Sequence, residues 1–180
     1  MSRDLTKDFT EFEVHKLLIK FADEESYSAF GCTGSVEREI SVKKIQKKCE
    51  GAVTKNIVRP TGEGSLKINI FVNYGVGKKM RGAVSKNGVT ALGDEKLPSF
   101  KLKMEVKNED GEIMFQEYGN CILASMPKVK IDNSSSTVED VELDINLAFD
   151  ENKKIYYEAF KEDLQDKTIE TFDGATLFKG

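Results

Sequence analysis

Three stretches of this chain alternate apolar and polar residues one for one, and that rhythm limits the fold more than any other feature. Leu66, Ile68, Ile70 and Val72 alternate with Lys67, Asn69, Phe71 and Asn73. Phe100, Leu102, Met104 and Val106 alternate with Lys101, Lys103, Glu105 and Lys107. Val141, Leu143, Ile145, Leu147 and Phe149 alternate with Glu142, Asp144, Asn146 and Ala148. Successive side chains of a strand leave on opposite faces, so each run predicts a strand with one face buried. Clusters of β-branched and aromatic residues predict further strands at 12–21, 36–45, 52–59, 112–119 and 154–160. Three turn signals lie between them. Asn108-Glu109-Asp110-Gly111 predicts a hairpin with Gly111 at positive φ, and Asp150-Glu151-Asn152-Lys153 and Arg59-Pro60-Thr61-Gly62-Glu63-Gly64 predict two more. Hairpins favour antiparallel pairing.

One basic, glycine-punctuated segment departs from the rhythm. Val76, Met80, Ala83 and Val84 fall at helical spacing, which predicts a short amphipathic helix over 76–86 stopped by Asn87-Gly88. Residues 22–34 and 132–137 read as loops, and 160–167 as a helical turn before an extended tail. The expected fold is mainly β, an antiparallel sandwich or barrel with one flanking short helix. A chain of 180 residues suits one domain with a real core. Its expected parts are an N-terminal arm 1–11, a β core over about 12–160 and a C-terminal arm 161–180.

Charge is distributed unevenly. The chain carries 27 Lys and Arg against 31 Asp and Glu, a net charge of −4. Residues 1–34 sum to −3, 35–97 to +7, 98–136 to −1 and 137–180 to −7. One reading is a set of solvated faces. The other is a molecule whose copies meet basic surface to acidic surface. No apolar run approaches the ~20 residues that cross a bilayer as a helix, and the charged start has no signal-peptide core, so the chain reads as cytoplasmic.

The residues offer little chemistry. Cys32, Cys49 and Cys121 are isolated and odd in number, as suits reduced thiols. His15 is the single histidine and lies in an alternating segment, so no Cys–His pair, triad or zinc spacing is available. The Asp/Asn/Gly spacing of a calcium-binding loop is also missing, although a carboxylate calcium site stays open. Ser35 and Ser85 lack the strand–elbow–helix setting of a hydrolase serine. Gly75-Val76-Gly77 lacks the third glycine of a dinucleotide fingerprint, and no Ser or Thr follows Lys79 as in a phosphate loop. Glu142 and Asp144 share one strand face about 7 Å apart. That spacing admits acid–base work or a weak cation site, though an acidic, water-facing surface is the simpler account. Between 35 and 97 the only aromatics are Phe71 and Tyr74, a poor match to a single-strand nucleic-acid binder. No cofactor is expected.

The second half has a recognisable order. Leu92-Gly93 and Leu97-Pro-Ser-Phe-Lys-Leu-Lys-Met-Glu-Val106 lead into Asn108-Glu-Asp-Gly-Glu112. Gln116-Glu-Tyr-Gly-Asn-Cys-Ile-Leu-Ala124 and Val141-Glu-Leu-Asp-Ile-Asn-Leu147 come next. Asp150-Glu-Asn-Lys153 and Tyr156-Tyr-Glu-Ala159 close the series. Over about residues 60–160 this succession resembles the major tail protein, or tail tube protein, of long non-contractile phage tails of the Gram-positive phage and prophage type. The resemblance implies a β-sandwich or barrel similar to the tubes of contractile tails and type VI secretion. It implies hexameric rings stacked into a virion tail tube that conducts double-stranded DNA, with no catalysis, no membrane and synthesis in the host bacterial cytoplasm. Its partners would be further copies, the tape measure, terminator and distal tail proteins, and the passing DNA.

Under that reading Glu142, Asp144 and Asn146 are candidates for the lumen wall, because a wall that neutralises no phosphates lets DNA slide. Lys43, Lys44, Lys47, Lys48, Lys78, Lys79 and Arg81 are candidates for a basic surface between subunits. A monomeric β-sandwich binding module and a different tail component, terminator or baseplate, are the alternatives; a small enzyme ranks behind them.

Overall fold

The structure, a computed structural model, describes residues 12–48, 54–72, 74–108, 110–126 and 141–180. The arm assigned to 1–11, the loop at 132–137, Cys49 and the first two residues of the strand expected at 52–59 lie outside them.

Ten strands are present among these residues: β1 Phe12–Phe21, β2 Ser28–Ala29, β3 Gly31–Lys48, β4 Thr54–Val72, β5 Val84–Lys86, β6 Val89–Ala91, β7 Phe100–Asn108, β8 Ile113–Leu123, β9 Val141–Ala148 and β10 Tyr156–Phe160. Helix α1 spans Tyr74–Met80 and α2 spans Gly174–Lys179, with a 3₁₀ turn at Lys161–Leu164. The mainly β, antiparallel expectation holds. Two short helices flank the sheet instead of one, and no closed barrel forms.

Eight strands form one antiparallel sheet in the order β2-β1-β7-β8-β9-β4-β3, with β10 also on β8. The fork at β8 shapes the molecule. Its residues 121–123 pair with β9, whereas residues 114–118 pair with β10. The β9-β4-β3 branch therefore diverges from the β1-β7-β8-β10 layer, and the apolar faces of both enclose one core. Leu66, Ile68 and Ile70 of β4 and Leu143, Ile145 and Leu147 of β9 meet Leu17, Ile19, Leu102, Met104 and Tyr118 there. These are the same alternating residues that defined the strands in sequence.

A second, smaller cluster occupies the opposite face of the β1-β7-β8-β10 layer. Leu18, Phe115 and Tyr157 are covered by Ile169 and Phe172. Residues 161–180, read as an arm, thus pack across this outer face as a 3₁₀ turn, a coil and α2.

Several local expectations need correction. The predicted 76–86 helix ends at Met80, because Gly82 takes φ +68. The Ala83 and Gly82 amides bond back to the carbonyls of Lys78 and Lys79, a Schellman closure. Asn87 and Gly88 are the turn of the β5–β6 hairpin, with φ of 53° and 77°, and not a helix stop. Strands 52–59 and 66–72 are one strand, β4, and Arg59–Gly64 bends a ribbon instead of reversing it. Val42 pairs with Pro60 and Ile40 with Gly64, so three residues of β4 bulge opposite Ser41 alone. The 22–34 loop contains β2 and the start of β3. Asp110-Gly111 does form the β7–β8 turn, with Gly111 at φ +83. Asp150-Asn152 forms a turn as well, but it joins no hairpin. Both β9 and β10 run antiparallel to β8, so the chain continues in one direction along β8 with residues 149–155 looped out.

Candidate assembly and lumen surfaces

The outer face of the β9-β4-β3 branch is open to solvent. Cross-strand register arranges it in three rows: Ser35–Asn69–Glu142, Glu37–Lys67–Asp144 and Glu39–Ser65–Asn146. Four carboxylates thus surround one lysine, and no apolar side chain interrupts the rows. Glu37, Glu39, Glu142 and Asn146 are exposed and Asp144 is half-buried. The three residues assigned to a lumen wall therefore share one strand face. Glu37 and Glu39, which sequence reasoning assigned to no site, extend that face. Alternation along β3 carried their signal, but only the register with β4 shows which carboxylates join. Interfaces that hold proteins together have an apolar centre, which this face lacks. It is built to stay wet.

A second surface is the far half of the β3–β4 ribbon. Beyond the bulge, Val42–Lys48 pairs with Thr54–Pro60, and neither segment pairs with any other strand among the described residues. These two segments carry Lys43, Lys44, Lys47, Lys48, Lys55 and Arg59 and no carboxylate. Val42 is 60% exposed and Val58 58%. Lys47 stands opposite Lys55 in register, and Lys48 opposite Thr54. The ribbon is a cationic arm with uncovered valines.

The remaining basic candidates lie elsewhere. Lys79 reaches Asp23 and Glu24 at 2.9 Å each and lies 4.7 Å from the Phe21 ring. Lys78 donates to the Ser85 hydroxyl at 2.9 Å, and Arg81 Nε to the Gly77 carbonyl at 3.1 Å. These three hold α1 to its own surroundings, so the seven cations form two groups. Only Lys43, Lys44, Lys47 and Lys48 are on the arm.

The turn candidates are structural. Asp150 accepts from the Asn152 and Lys154 amides at 2.9 Å each and from the Tyr157 hydroxyl at 2.5 Å. Asp110 is exposed, and Gly111 donates its amide to the Asn108 carbonyl at 3.0 Å.

Sequence reasoning missed one buried polar cluster. Lys103, 3% exposed, stands opposite Glu117, 6% exposed, across the β7–β8 pair. Lys103 donates to the carbonyls of Glu170 and Phe172 and lies 4.2 Å from the Tyr27 ring. Glu117 accepts the Gly174 amide at 2.7 Å and the Tyr27 hydroxyl at 3.4 Å. Burial pushes the Lys103 ammonium down and the Glu117 carboxyl up in pKa. The cluster pins the C-terminal segment to the sheet. On the core side, burial raises the Tyr118 phenol to about 12, although it accepts from Arg38 at 3.1 Å. Burial likewise raises the Cys121 thiol, which leaves it unreactive as a nucleophile. Among the described residues, no group of three or more His, Cys, Asp or Glu is placed to hold a metal ion.

No protein-family model matches the chain, and no curated protein matches it in sequence. Solved structures to which the chain is similar include a chain of the extended sheath–tube complex of the PVC extracellular contractile injection system. It is 13% identical, with 84% of this chain and 93% of that chain covered and a TM-score of 0.49. A chain of the tube-terminating cap of the anti-feeding prophage is 10% identical, with 81% and 88% covered and a TM-score of 0.49. A chain from the six-fold symmetrised baseplate of the anti-feeding prophage is 13% identical, with 88% and 97% covered and a TM-score of 0.41.

Proposed function

We propose that this protein is a structural subunit of a phage tail tube, whose copies close into hexameric rings that stack into a conduit for DNA. The observation that carries the reading is the division of its surface. One sheet face carries three adjoining rows of acidic and polar residues, while a cationic arm with exposed valines extends past the sheet. A ring is a heterologous assembly, in which one patch meets a different patch on the neighbour. The arm supplies one such patch, and its excess of cations calls for an acidic partner, which steers encounter and sets register. The bare acidic face suits the channel wall, since carboxylates release no counterions from DNA and do not hold it.

The order of motifs over residues 60–160, which resembles tail tube proteins, supports the same role. In this reading the protein is not an enzyme. It is made in the bacterial cytoplasm, ends in the virion tail, and meets tape measure, terminator and distal tail proteins along with its own copies. The test is electron microscopy of the purified protein over a range of concentration and salt, with and without preformed tail fragments as nuclei. Six-fold rings or tubes are expected, favoured by low salt. A species that stays monomeric at high concentration even with nuclei overturns the proposal.

A further inference from the structure

Two features of the molecule are each incomplete alone. The first is the arm. The second is a groove between β10 and α2, floored by Tyr157, Leu164 and Phe172 and rimmed by Leu177 and Phe178. Leu177 is 46% exposed and Phe178 66%, against 38% for Phe149. Phe178 touches only the edge of its own fold, with the Tyr157 ring at 6.1 Å and the Lys154 ammonium 5.0 Å from its centroid. Beside the groove, β10 pairs with β8 along one edge, and its other edge pairs with no strand among the described residues. An open strand edge next to an apolar groove is the setting for strand addition, in which backbone bonds give affinity and pockets take alternate side chains.

We infer that the groove and the β10 edge receive the β3–β4 arm of a neighbouring copy; this rests on the assembly reading above. The arm meets each requirement of the groove. The outer edge of its β3 segment, residues 42–48, likewise pairs with no strand among the described residues, so the two edges can satisfy one another. Val42 and Val58 are β-branched, exposed and sized for shallow apolar pockets. The two arm segments carry six cations and no carboxylate in sequence, whereas Glu162 and Asp166 stand exposed on and just after the 3₁₀ turn that follows β10. On its own copy the arm's base lies against the other side of β10. There Arg38, before the bulge, stacks 4.1 Å over the Tyr156 ring on the core side, while the groove opens on the outer side. The contact is therefore one between copies, and it is heterologous, so it propagates.

The test is site-directed cross-linking in a Cys32→Ser, Cys49→Ser background. Protein carrying Val58→Cys is mixed with protein carrying Phe178→Cys under mild oxidation, and assembly is followed in parallel by electron microscopy. A cross-linked heterodimer in the mixture, and none in either protein alone, is expected. Separately, Phe178→Asp is expected to raise the concentration needed for assembly roughly tenfold or more, from the loss of one buried aromatic. Phe178 is exposed, so the fold should keep its unfolding midpoint. Assembled particles without the 58–178 cross-link, and with unchanged assembly of the Phe178→Asp variant, overturn this inference and leave the assembly reading standing. Failure of the parent protein to assemble overturns both.

Discussion

At the scale of single residues, the fold depends most on polar side chains in apolar settings. Lys103 is nearly fully buried and donates to two carbonyls of the C-terminal segment, opposite the equally buried Glu117. Removing one member of such a pair leaves the other uncompensated. Lys103→Met is therefore expected to cost about 3 kcal/mol in chemical denaturation, and Lys103→Met with Glu117→Gln to recover part of that loss. Asp150 gives a pH-dependent counterpart. Burial raises its pKa, but bonds from the Tyr157 hydroxyl and from the Lys154 and Asn152 amides outweigh this and hold the carboxyl below its ordinary 3.8. A carboxyl with a depressed folded pKa contributes stability that is complete above the unfolded value and lost as pH falls through the folded one. The stability gap between the parent and Asp150→Asn should be full above about pH 5 and shrink steadily below pH 3.8. Denaturant midpoints measured across that window check it; a gap independent of pH would show that the charge has no part.

At the scale of elements, what the sequence reveals depends on whether the signal is local. Alternation is local, so β7, β9 and the 66–72 part of β4 were legible from Phe100–Val106, Val141–Leu147 and Leu66–Val72, and β1 from its β-branched and aromatic cluster at 12–21. Turn residues report a bend but not which strands it joins. Pro60-Thr61-Gly62 makes a bulge, and Asp150-Asn152 makes a loop along one edge of β8. The division of β8 between β9 and β10 arises from packing distant in sequence, and no spacing announces it. The acidic face was half legible: Glu142 and Asp144 follow from one strand, whereas Glu37 and Glu39 join only through β4. The C-terminal docking was illegible, because Lys103 and Glu117 look like ordinary solvent-facing members of alternating strands. That docking also depends on close approach at Gly174. A Cβ there would collide with the Tyr157 side chain, while the Gly174 amide donates to Glu117. Gly174→Ala should cost roughly 2 kcal/mol through overpacking. It should also speed hydrogen exchange across 165–180 while β7 keeps its protection. Equal loss of protection in both would show that the segment does not open separately.

At the scale of the whole molecule, the net charge of −4 conceals a division of labour. The outer face of the β1-β7-β8-β10 layer is covered by the chain's own C-terminal segment, which leaves the acidic β9-β4-β3 face as the open one. If stacked rings turn that face inward, side chains on it line the channel for DNA, whereas those on arm and groove meet other copies. Position 146 lies in the third row of the face and is exposed, so it reports on the assignment without disturbing the core. Asn146→Cys in the isolated subunit should react with a small maleimide and with one carried on a bulky protein. In assembled particles the small reagent should still enter from the ends, while the bulky one should fail, because a folded carrier does not fit a channel of DNA width. The parent protein, which carries Cys32, Cys49 and the buried Cys121, sets the background. Bulky labelling that is as fast in particles as in the subunit would place this face outside the tube, and the acidic rows would then belong to the outer surface of the tail.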